Sequence, residues 1–121
     1  MLRISALSLV AMLAAFPVAA NDFAPVREKT EFLSLVEGRD LRIGLYNLTL
    51  NVLPDGQIKG RALGWDITGS WSWKDGYFCR EMDWSGMEIG YDCQLVEVEG
   101  ADKVRFTVDR GNGDSASFKL R

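Results

Sequence analysis

The side chains with the greatest chemical reach in this sequence crowd into residues 71–93, which hold both cysteines, Cys79 and Cys93, and the carboxylates Glu81, Asp83, Glu88 and Asp92. Paired carboxylates are the minimum for acid–base hydrolysis. Two cysteines can form a disulfide, a redox pair or half of a metal site. The chain has no histidine, which removes the usual general base, the triads built on it and most transition-metal sites. A zinc site would have to complete two cysteines with carboxylates, an uncommon donor set, and neither a C-x-x-C motif nor a phosphate-cradling glycine loop occurs. Among the carboxylates only Glu81 has a strand parity that points it inward, beside Tyr91; the others read as solvent-facing charges. The turn D-R-G-N-G-D at 109–114 has the look of a calcium loop but lacks the spacing and the glutamate of an EF-hand. No catalytic residue, cofactor or metal site is assigned.

The elements that must position these residues are strands. From Leu41 onward apolar and polar residues alternate between Gly, Asp and Asn turns at the spacing of an all-β domain. Leu41, Ile43 and Leu45 occupy odd positions and Leu48, Leu50 and Val52 even ones, so a break or bulge is expected near Tyr46 and Asn47. Pro54-Asp55-Gly56 reads as a tight turn that sets Val52 opposite Ile58. A parity switch at Gly64 puts Trp65, Ile67, Gly69, Trp71 and Trp73 on one face. Val104, Phe106 and Val108, then Ala116, Phe118 and Leu120, outline two late strands. Seven or eight strands on short connections predict an antiparallel up-and-down meander, closing into a small barrel of lipocalin-like general shape. Ahead of it, Phe32, Leu35 and Val36 at i, i+3 and i+4, with Gly38 behind them, predict one short N-terminal helix over 29–37.

A hairpin centred on Gly86 sets Cys79 opposite Cys93, Arg80 opposite Asp92 and Glu81 opposite Tyr91. Directly opposed residues lie within disulfide reach, and an even cysteine count in an exported chain reads as one disulfide. The preceding hairpin, turning at Lys74-Asp75-Gly76, pairs Trp73 with Tyr77 and Trp71 with Cys79. On that register Trp71, Trp73, Tyr77, Tyr91, Leu95 and the disulfide share a face, which is either core or pocket wall. Trp71, Trp73, Tyr77, Tyr91 and Glu81 are then the candidate ligand-facing residues. The opposite face carries Phe78, Arg80, Met82 and Trp84, a candidate partner patch unless the helix covers it.

Arg3, the apolar run 4–16 and the small residues Val18, Ala19 and Ala20 form the three parts of a secretory signal peptide, with cleavage expected after Ala20. The run is short of the ~20 residues that span a bilayer. Residues 1–20 are therefore read as a signal peptide and 21–121 as a single disulfide-stapled β domain, periplasmic or secreted, with no transmembrane segment left after cleavage. Removing Arg3 takes the net charge from −3 to −4, and the mixed acidic surface argues against nucleic acid or an anionic membrane as partner.

The segments F-L-x-L-V-x-G-R at 32–39, Pro54-Asp55-Gly56, G-S-W-S-W-K-D-G-Y-F-C-R at 69–80, Cys93-Gln94 and R-G-x-G at 110–113 resemble a family of small exported bacterial proteins. Its members often carry the automatic label dihydrodipicolinate reductase, and the resemblance covers nearly all of 21–121. The labelled activity needs a nicotinamide cofactor and a dinucleotide-binding βαβ unit, whereas this chain has neither the glycine fingerprint nor the length. The leading expectation is a non-enzymatic, exported barrel that serves as a binding or interaction module for an unknown envelope protein. The alternatives are a carrier of a small apolar ligand in an aromatic-lined barrel and, disfavoured, the labelled reductase. An internal cavity of more than a few water volumes points to the carrier, and a filled interior to the interaction surface.

Overall fold

The computed structural model describes residues 22–121; the expected signal peptide, 1–20, lies outside them. The described residues form β1 (Ala24–Val26), α1 (Lys29–Val36), β2 (Leu41–Ile43), β3 (Leu48–Val52), β4 (Gln57–Ala62), β5 (Trp65–Lys74), β6 (Tyr77–Trp84), β7 (Met87–Glu99), β8 (Lys103–Thr107) and β9 (Ser115–Leu120). Strands β2 to β9 run up and down, β9 returns to β2, and β8 pairs with both β9 and β7, so eight antiparallel strands close into a barrel. The expected barrel and its single helix are the architecture found. Strand β1 is additional. It is three residues long and contains Pro25, which sequence periodicity does not mark and which an edge position tolerates.

Closure depends on the length of β7. Its first part pairs with β6 and its last part, Leu95 to Glu99, with β8. On the edge that β6 leaves free, β1 adds Val26 opposite Val96 and Ala24 opposite Val98. The other seam joins Leu41 to Leu120 across β2 and β9.

One end of the barrel is stopped by α1. An eight-residue helix with no side-chain N-cap has little stability of its own, so packing must hold it. Phe32 is fully buried, with its ring 5.0 Å from that of Trp73, 5.2 Å from Phe78, 5.5 Å from Trp71 and 6.3 Å from Phe106. After the helix, Arg39 donates to the carbonyls of Ala101 (2.7 Å) and Leu120 (3.3 Å), and the Asp40 and Arg121 backbones exchange two hydrogen bonds.

The turns set the register. Asn47, at φ 45°, ends a 3₁₀ turn over Gly44–Tyr46 and makes the expected break between β2 and β3. Leu63-Gly64, Asp75-Gly76 and Ser85-Gly86 each place two successive residues at positive φ, the mark of two-residue hairpin loops whose twist matches that of the strands. At Asp75-Gly76 this corrects the expected register. Lys74 opposes Tyr77, Trp73 opposes Phe78 and Trp71 opposes Arg80, one residue from the pairing that a three-residue turn would give. A slip of one residue exchanges the faces of a strand. Phe78, Arg80, Met82 and Trp84 therefore share the inner face with Trp71 and Trp73, while Tyr77, Cys79 and Glu81 point outward.

In the next hairpin Cys79 opposes Cys93 and Arg80 opposes Asp92, as expected. A bulge then shifts the tip, pairing Met82 with Ile89 and Trp84 with Met87, so that Glu81 faces Gly90 as well as Tyr91. Cys79 and Cys93 form the disulfide. Closing a loop of this length stabilises a fold by about 3 kcal/mol, a large share of what a domain of this size has in total.

Two outcomes follow for the helix end. Phe32→Ala should cost about 3–5 kcal/mol in urea denaturation, whereas Glu31→Ala, on the exposed face of α1, should stay within about 0.5 kcal/mol. Asp40 accepts from Asn51 Nδ2 at 2.7 Å and from Arg42 Nη2 at 2.9 Å. These bonds, the one from Asn51 foremost, hold its carboxyl below the ordinary value of 3.8. A depressed carboxylate stabilises the fold above its unfolded pKa, and that stabilisation is lost as pH falls through the folded value. The contribution should thus be complete at neutral pH and disappear only below about pH 3.8. Asn51→Ala should move the Asp40 titration upward by NMR.

Candidate ligand-binding site

Aromatic rings fill the barrel next to α1, and beyond them it is hollow. The cavity measures about 260 Å³, and its walls include Leu41, Leu50, Val52 and Ile58 from β2 to β4, Phe78 and Met82 from β6, and Phe106, Val108 and Phe118 toward the closing seam. A water molecule's share of liquid volume is about 30 Å³, and a dry cavity of about 150 Å³ suffices for benzene. The volume is therefore well beyond a few waters and suits a small organic molecule. Ala116 marks the opening. It shares the inward parity of Phe118 and Leu120 and stands opposite buried Phe106, yet it is exposed. Asp114 and Ser115 flank it in the cavity wall.

Besides exposed Asp114 and Ser115, two buried polar side chains break the apolar lining. Arg80 and Gln94 are only 8% and 6% exposed, and both face the cavity. They are diagonal neighbours, because Arg80 opposes Asp92 and Phe78 opposes Gln94. Arg80 Nη1 donates to the Gly90 carbonyl at 2.7 Å. Arg80 Nε and Nη2 and the Gln94 carboxamide make no hydrogen bond to the described residues, and none of these atoms is completely buried. Asp92 does not close on Arg80. Its carboxylate accepts the Asp109 backbone N–H at 3.1 and 3.3 Å, which ties it to the loop between β8 and β9. Burial pulls the Arg80 pKa below its ordinary value, and the nearby charge of Asp92 opposes that pull. A guanidinium in this setting stays charged at neutral pH.

No protein-family model, curated protein or solved structure matches the chain. The site must be read from its own geometry.

The structure redistributes the residues singled out from the sequence. Trp71 and Trp73 face inward as expected, but as core. Their indole N–H groups donate to the carbonyls of Leu53 (2.8 Å) and Arg27 (3.0 Å), both rings pack on Phe32, and neither lines the cavity. Tyr77, Tyr91 and Glu81 lie on the outer face. Tyr91 is 58% exposed, and Tyr77 is flanked by the guanidiniums of Arg27 and Arg110 at 5.5 and 5.4 Å. Phe78, Arg80 and Met82, expected as an outward patch with Trp84, line the cavity instead, and Trp84 donates from inside to the Ala62 carbonyl at 3.2 Å. The cause is the two-residue turn at Asp75-Gly76. Ala116 was visible only as a member of an alternating strand, and Gln94 only beside Cys93 in the segments that carry the resemblance. A polar residue at an inward parity position, as Gln94 is opposite Phe78, was the available signal. Among the described residues no group of acidic or cysteine side chains is arranged to hold a metal ion.

An arginine held by one carbonyl contributes little to folding. Replacing a buried charge by an apolar residue of similar volume is often neutral or stabilising, which offsets the roughly 1.5–3 kcal/mol that a hydrogen bond to a charged group contributes. Arg80→Met should therefore change the unfolding free energy by no more than about 1 kcal/mol in either direction, measured as the urea midpoint at unchanged m value.

Proposed function

We infer that the protein is an exported binding module that holds a small apolar ligand inside its barrel. The observation that carries this reading is the cavity of about 260 Å³, apolar in its walls and open beside Ala116. Ligand pockets are concave and mostly apolar, with a few placed polar groups, and a barrel of eight strands is just wide enough to enclose one small molecule. Export is supported by the signal-peptide pattern of 1–20 and by the disulfide, which persists in oxidising compartments. The alternative of an outward interaction patch loses its residues, since Phe78, Arg80 and Met82 form the cavity wall. A nicotinamide-dependent reductase would use a parallel βαβ unit, whereas the barrel strands here pair antiparallel.

The surroundings of the opening agree with this reading. In an up-and-down barrel the β2–β3, β4–β5, β6–β7 and β8–β9 connections gather at one end, away from α1. The first three carry the exposed apolar side chains Leu45, Tyr46, Leu63 and Met87, with Trp65 at the start of β5. An apolar ligand would meet this rim before the cavity.

Titration calorimetry with 1-octanol tests the reading. Saturable binding at one site per chain is expected, and Ala116→Trp, which places an indole in the opening, should weaken it at least about tenfold, or 1.4 kcal/mol, with the circular dichroism unchanged. Binding unaffected by that substitution would put the ligand outside the barrel.

A further inference from the structure

The cavity is better equipped than an apolar ligand requires. A hydrocarbon would be held by Leu50, Ile58, Phe106 and Phe118 alone, and every polar group in the wall would lower its affinity, because hydrogen-bonding groups shut away from water without partners are costly. Yet Arg80 and Gln94 stand side by side in the wall, with donors that no described residue accepts. Building on the cavity reading above, we propose that the ligand is an amphipathic monocarboxylate, with its carboxylate bound by Arg80 and Gln94 and its apolar tail lying among Phe78, Phe106 and Phe118.

Four observations select that class. First, the guanidinium fork matches a carboxylate with two parallel N–H···O bonds. Arg80 spends Nη1 on Gly90 and keeps Nε and Nη2 free of bonds to the described residues, and the adjacent Gln94 amide can add a donor. Second, Asp92, the carboxylate opposite Arg80, is engaged by the Asp109 backbone and does not occupy the fork. Third, the charge balance fits one anionic oxygen pair. Among the described residues Arg80 is the only cation in the cavity wall, Asp114 there is exposed, and Asp92, whose charge is felt at Arg80, already offsets part of the positive charge. A phosphate monoester carries about −1.5 to −2 charges and would leave part of its charge uncompensated; a cationic ligand would be repelled by Arg80. Fourth, about 260 Å³ encloses a short chain or a single ring with its head group, whereas a long-chain lipid would extend out of the opening.

The test compares octanoate with 1-octanol, which share a tail and differ at the head. Calorimetry at pH 7 on the full protein should show octanoate binding about 10- to 100-fold more tightly, the range that one charge-assisted hydrogen bond supplies. Arg80→Met should abolish that preference through loss of octanoate affinity, with octanol still binding at one site per chain. The Arg80 Nε–H resonance of the unaltered protein should move on addition of octanoate and stay in place with octanol, a readout that does not rely on any variant. Equal affinities for the two probes would overturn the carboxylate assignment and leave the carrier reading intact. Preference for octanoate surviving in Arg80→Met, or an unmoved Nε–H signal, would place the anion elsewhere and overturn the role of Arg80. Binding of neither probe would overturn both readings.

Discussion

Side chains on a strand alternate with a period of two, so a barrel built from one hairpin register has one interior and from the next register another. In this protein that choice is made at Asp75 and Gly76. With φ of 52° and 81° they form a loop of two residues, and Lys74 is brought opposite Tyr77. Every later assignment follows from this. Trp71 and Trp73 are matched with Arg80 and Phe78, the interior gains a charge, and the disulfide is moved to the outer side of the wall. A loop one residue longer would have lined the barrel with Tyr77, Cys79 and Glu81 and turned the arginine to solvent.

Closure and plugging convert that interior into a cup whose base is α1. Strand β7 is long enough to serve β6 and β1 on one edge and β8 on the other, which closes the barrel and leaves β1, three residues long with Pro25 in its middle, as an edge of the kind that resists pairing with other chains. Helix α1 then inserts Phe32 among four aromatic rings at one end. Aromatic side chains bring large buried area to the core, and they cluster next to the helix. Beyond them the β2–β4 side of the wall is aliphatic, with Leu41, Leu50, Val52 and Ile58. Gly60 and Gly69 face inward in β4 and β5, where a Cβ would collide with the backbones of the adjacent strands, so the wall bends closely there. The uneven distribution of bulk leaves the hollow on the side away from α1.

Much of this was legible before any coordinates. The strand alternation of Leu48, Leu50 and Val52 against Ile58, the break at Asn47, the helix beginning at Lys29 and the pairing of Cys79 with Cys93 all follow from local periodicity and turn chemistry, and all are present. The faces of β6 were not legible in the same way. Lys74-Asp75-Gly76 admits loops of two or three residues, and the choice between them is made by the twist of the flanking strands, which composition does not record. The bulge opposite Glu81 carries no composition signal beyond Gly90. Because both errors concern parity, they affected the site far more than the fold. The residues named were nearly all relevant, but inside and outside were exchanged for Tyr77, Phe78, Cys79, Arg80, Glu81, Met82, Trp84 and Tyr91.

The bulge also explains how an arginine can occupy an apolar wall. Between Arg80–Asp92 and Met82–Ile89 the register shifts by one, so Gly90 and Tyr91 together oppose Glu81. Bulges take backbone groups out of the regular ladder and re-aim side chains near functional sites. Here the Gly90 carbonyl on the bulge accepts the Arg80 guanidinium, fixing its orientation without using its remaining donors, and Asp92 beside it is drawn off by Asp109. A wall selected for stability alone would have an aliphatic residue at this position and a regular ladder opposite. The bulge, the single carbonyl contact and the diverted carboxylate each leave Arg80 less neutralised than a structural arginine would be, and the group that completes its coordination is expected to enter through the opening at Ala116.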